Sequence, residues 1–69
     1  MYIRNPTEDQ LKNWYKCKIN VAKYLMATIN PIHCDIGGYY YFEKTEELLR
    51  LIETIPIIYV IYDKFLKFF

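Results

Sequence analysis

Sixty-nine residues at a net charge of +1, 54% hydrophobic and 19% aromatic, leave room for one domain (1–69) and one small core. Such a balance excludes a strongly basic nucleic-acid binder, and eight Tyr, four Phe and one Trp exceed what so small a core encloses, which points to an interface. Two cysteines, Cys17 and Cys34, allow at most one disulfide; with no Cys-x-x-Cys and no apolar leader, we expect free thiols and a cytoplasmic protein.

Charge is unevenly spread, with +3 over residues 1–30, −3 over 31–55 and +1 over 56–69. Serine is absent, and Ile, Lys, Tyr, Asn and Phe dominate, the residues of AT-rich codons. That composition suits low-GC bacteria, their phages and archaeal viruses alike.

In chain order, Asn5-Pro6-Thr7-Glu8 and Thr7-Glu8-Asp9-Gln10 offer two overlapping capping frames for a first helix. Leu11, Trp14, Tyr15, Ala22, Leu25, Met26 and Ile29 share one face at 100° per residue, with Lys12, Lys16, Asn20 and Lys23 opposite. The periodicity predicts one long amphipathic helix ending near Asn30, before Pro31. Ile32–Ile36 and Tyr39–Glu43, split by Gly37-Gly38, read as a hairpin that pairs Ile36 with Tyr39, Cys34 with Tyr41 and Ile32 with Glu43. A plain loop followed by one strand is the competing reading.

Thr45-Glu46-Glu47 caps a second helix running to Thr54, with Leu48, Leu51, Ile52 and Ile55 inward and Glu46 four residues before Arg50 on the wet side. Pro56 stops it. Ile57–Tyr62 is β-branched and aromatic throughout, which predicts a central strand covered on both faces. Residues 63–69 fit a final helical turn or the end of that strand. The expected class is α+β in the order α-β-β-α-β, with the last strand parallel to one hairpin strand.

Catalytic sets are not apparent. His33 is the only histidine, and Cys34 beside it would point to the opposite face of a strand. Cys17, His33, Cys34 and Asp35 lack the paired spacing of a zinc site, so no metal or other cofactor is expected. Tyr40-x-x-x-Lys44 has no Gly-rich nucleotide loop with it, and Gly37-Gly38 precedes no helix. Ile57–Phe69 is too short to span a bilayer, and Asp63, Lys64 and Lys67 interrupt it.

Two features remain. One is an aromatic surface, Tyr40, Phe42, Tyr59, Phe65 and Phe68, suited to a protein partner because no basic residue lies among the sheet aromatics. The other is the lysine face Lys12, Lys16 and Lys23, suited to a phosphate backbone. The sequence therefore reads as a non-enzymatic, phage- or mobile-element-encoded regulator or inhibitor. It would dock on a larger host protein of replication, transcription or immunity, with a homodimer as a further expectation. Nucleic-acid binding through the lysines is the alternative.

Overall fold

Thr7 opens the first helix in the second of the two capping frames. Its hydroxyl accepts the Gln10 backbone N–H at 3.2 Å, and its own N–H donates to Gln10 Oε1 at 2.9 Å. In the computed structural model, which describes residues 2–65, this helix is only α1 (Glu8–Asn13). It is followed by β1 (Tyr15–Cys17), α2 (Ile19–Met26), β2 (His33–Cys34), β3 (Tyr40–Phe42), α3 (Glu46–Thr54) and α4 (Ile57–Phe65). The chain is a small α+β domain of four helices on a three-stranded antiparallel sheet, among the described residues, with strand order β1-β3-β2.

The long N-terminal helix is corrected: Trp14 is extended at φ −94° and ψ 154°, and the chain leaves the helix there. Tyr15-Lys16-Cys17 alternates half-buried, exposed and buried, the period-2 pattern of a strand with one covered face. Pairing explains why that pattern wins. A lone two-stranded hairpin is marginal in water, and β1 gives β3 a second partner with Tyr15 opposite Phe42 and Cys17 opposite Tyr40. The helix then restarts as α2, with Val21, Ala22 and Leu25 buried.

The hairpin exists, one residue out of the expected register. His33 lies opposite Tyr41 and Cys34 opposite Tyr40. The loop is longer than two residues: Asp35 N–H donates to Tyr39 O at 3.0 Å and Gly38 N–H to Asp35 O at 3.3 Å. Gly38 sits at φ +87°, so a turn is closed by a left-handed glycine, the usual build of a three-residue hairpin loop. Asp35 Oδ1 also accepts the Tyr39 N–H at 2.9 Å, which ties the two ends of the loop.

α3 matches its sequence reading in position and face. Thr45 accepts the Leu48 N–H at 3.2 Å, Leu48 is fully buried, and Leu51, Ile52 and Ile55 pack around the core. Glu46 and Arg50 stand 4.0 Å apart on the exposed side. The expected last strand is a correction: Ile57–Phe65 is a helix, and no parallel pairing occurs among the described residues. β3 is already paired on both sides, and the outer edge of β2 is met by the N-terminal arm, with Ile3 N–H donating to Ile32 O at 2.7 Å. A run of Ile, Tyr and Val is compatible with either conformation, and here it packs as a helix against α2, where Tyr24 and Tyr59 meet at 5.4 Å between ring centroids.

Cys17, Val21, Ala22, Leu25, Phe42 and Leu48 form the core between sheet, α2 and α3. The opposite sheet side carries a second, aromatic cluster. His33 packs on Tyr41 at 5.3 Å, Tyr2 at 6.0 Å and Trp14 at 6.4 Å.

Candidate functional site

Which face of β3 meets the core decides the fate of the expected aromatic surface. With Tyr40 opposite Cys17 and Phe42 opposite Tyr15, both rings turn toward the core: Phe42 is fully buried and Tyr40 is half-buried against the core cluster. Phe42 is therefore corrected from a partner-binding residue to a core residue, and Tyr40 from an exposed one to a flank of the core. Tyr59 is half-buried against Tyr24. Phe65 belongs to α4, its side chain outside the description, and Phe68 lies outside the described residues.

The lysines do not share a helix face. Lys12 is in the last turn of α1, Lys16 is on β1 and Lys23 is in the last turn of α2. Lys16 Nζ sits 4.1 Å from the centre of the Tyr39 ring and Lys18 Nζ 5.0 Å from it. These ammonium groups rest on an aromatic face of the hairpin.

An exposed apolar surface does exist, on α4. Ile57, Ile58 and Ile61 are 74%, 56% and 54% exposed. Their spacing places them within about 100° of one another around the helix. Tyr59 and Val60, between them in sequence, are half-buried. The helix thus has an inner side on α2 and an outer side of three isoleucines. The sequence reading missed this because it treated the whole run as a covered strand. The available signal was Pro56 followed by isoleucines at positions 57, 58 and 61, a helical spacing just after a helix-breaking residue.

The reactive side chains are engaged in holding the fold. His33 is buried, and its Nδ1 lies 2.8 Å from Ile3 O, which fixes the Nδ1–H tautomer as the donor. Cys34 Sγ donates weakly to Asp35 O at 3.7 Å, and neither thiol is in a disulfide, Cys17 being buried and Cys34 half-buried. Asp35 accepts the Tyr39 N–H and, at 2.9 Å, the Tyr41 hydroxyl. Desolvation pushes the Asp35 carboxyl up. The hydrogen bonds from Tyr39, Tyr41 and Gly37 and the charge of Lys16 outweigh it, and the net direction is down from 3.8. Tyr41 is pushed above its ordinary 10.0 by burial first and then by its bond to the Asp35 carboxylate.

Arg4, Asn5, Pro6, Leu11 and residues 33–36 line an open cleft of about 390 Å³ between the arm and the hairpin. No three His, Cys, Asp or Glu side chains among the described residues converge as a metal site. No helix in that part of the chain is long and apolar enough to cross a membrane. No protein-family model matches the chain, and no curated protein and no solved structure matches it either.

Proposed function

We propose that the chain is a small protein-binding regulator that docks on a larger protein through the outer side of α4 and performs no chemistry itself. The observation that carries this reading is the isoleucine triplet Ile57, Ile58 and Ile61, more than half exposed on a helix whose other side packs on the domain. Fully burying one such side chain contributes about 1.5–3 kcal/mol, so three of them make a strong centre for an interface. An amphipathic helix of this kind fits an apolar groove on its partner.

The partner's rim should be basic. Glu46, Glu47 and Glu53 are exposed on α3, directly before α4, in the stretch of the chain that carries −3. Opposite charge there would steer the encounter and set orientation.

The reading is tested by capture from host lysate with and without nuclease, using wild type, an Ile58→Glu/Ile61→Glu variant and a Lys12→Gln/Lys16→Gln/Lys23→Gln variant. Docking through α4 predicts a protein retained after nuclease by wild type and by the lysine variant, and lost by the isoleucine variant. Capture that vanishes with nuclease and with the lysine variant would replace this reading by nucleic-acid binding.

A further inference from the structure

At the outer edge of β2 a single side chain stands where a neighbouring strand would be. Cys34 N–H donates to the Tyr2 hydroxyl at 3.2 Å, and the same hydroxyl donates to Cys34 O at 3.4 Å. In an antiparallel ladder, a residue whose N–H and C=O both point to one side exchanges both bonds with the residue opposite it. Cys34 presents that pair of groups away from β3, and one hydroxyl answers both. The bonds on the inner side of the same stretch are shorter, 2.8 Å from Ile32 N–H to Tyr41 O and 3.0 Å from Asp35 N–H to Tyr39 O.

The arm carrying Tyr2 is held by few ties. Ile3 N–H donates to Ile32 O at 2.7 Å, His33 Nδ1–H donates to Ile3 O at 2.8 Å, and the Tyr2 ring lies beside His33. Tyr2 itself is 56% exposed.

We propose that the β2 edge is a latent self-pairing edge, latched by the Tyr2 hydroxyl. When the arm lifts, two copies of the chain pair β2 to β2, antiparallel, about a two-fold axis at Cys34. The occupant is a second copy because the edge is self-complementary. Cys34 of each chain exchanges both main-chain bonds with Cys34 of the other, as a two-fold interface requires. The same register sets Asp35 of one chain opposite His33 of the other, on both sides of the axis. An uncovered edge is the usual route to strand pairing between chains. This pairing is independent of α4.

The test uses the full chain and Tyr2→Phe, which keeps the ring beside His33 and removes the hydroxyl. A short bismaleimide is applied at equal protein concentrations, and thioether-linked Cys34 peptides are counted by mass spectrometry. The substitution removes both hydrogen bonds of the hydroxyl, and losing even one typically shifts an equilibrium by about tenfold. Tyr2→Phe should therefore raise Cys34-to-Cys34 linkage about tenfold over wild type. Linkage no greater than in wild type overturns the proposal. Should Tyr2→Phe not fold, hydrogen exchange of the wild type decides. The Cys34 amide should exchange by local opening of the arm, faster than the Asp35 amide, and equal rates overturn the latch.

Discussion

Asp35 does more to shape the hairpin than any other single side chain. Its carboxylate accepts from the Tyr39 backbone and the Tyr41 hydroxyl, and its main chain closes the loop on both sides. Asp35→Ala should lower stability by about 1–3 kcal/mol in denaturant melts, because it leaves the Tyr41 hydroxyl without that acceptor. The pH dependence has a definite sign. The folded carboxyl titrates below the ordinary 3.8, so its ionised form is the stabilising one. The contribution is fully present above the unfolded value and fades as pH falls through the lower folded one. Wild type and Asp35→Asn should thus differ most above pH 3.8 and converge under stronger acid; a gap that widens on acidification would refute the assignment. Phe42 makes the opposite point about sequence reading. Its place on the expected hairpin suggested an exposed anchor, yet it is fully buried, and Phe42→Ala should cost about 3–5 kcal/mol, enough to unfold so small a domain. Loss of binding in that variant would therefore say nothing about an interface.

Elements that end in strong local signals were legible in the sequence, and those decided by tertiary pairing were not. Thr45 and its following acids marked α3, and the inward positions Leu48, Leu51 and Ile52 came from the same periodicity. Residues 8–26 also follow a helical period, but an isolated helix gains little from pattern alone. The need of β3 for a second neighbour converts Tyr15–Cys17 into a strand, and no local feature announces it. Residues 57–62 were ambiguous for the converse reason. Their β-branched, aromatic composition favours a strand, the spacing of Ile57, Ile58 and Ile61 after Pro56 favours a helix, and packing on α2 decides for the helix. The loop glycines separate by conformation. Gly38 has open space for a Cβ but sits at φ +87°, whereas a Cβ at Gly37 would meet Asp35 Oδ1 at 3.3 Å. Gly38→Ala should cost about 1 kcal/mol or more from backbone strain, with Gly38→Asn recovering part of it because Asn tolerates that region. Equal melting of Gly38→Ala and wild type would remove the strained turn from the account.

At the scale of the whole molecule, a thin core is wrapped by polar and aromatic surface, and one helix keeps an apolar side outward. Composition pointed to a surplus of aromatic residues, and the sequence reading placed it at Tyr40, Phe42, Tyr59, Phe65 and Phe68. The large apolar side chains exposed among the described residues are instead mostly aliphatic: Ile57, Ile58 and Ile61 on α4, in addition to Leu49, Ile36 and Tyr2. Exposed positions of this kind are replaceable without harm to the fold, since surface substitutions usually stay within about 0.5 kcal/mol. Binding and stability can therefore be separated at α4 as they cannot at Phe42. The most direct measurement is titration calorimetry of the captured partner with wild type and with Ile58→Glu/Ile61→Glu, both checked for equal melting. Docking through α4 predicts a loss of at least about thirtyfold in affinity, the effect of removing a central anchor worth about 2 kcal/mol. An equally folded variant that binds as tightly as wild type would contradict it.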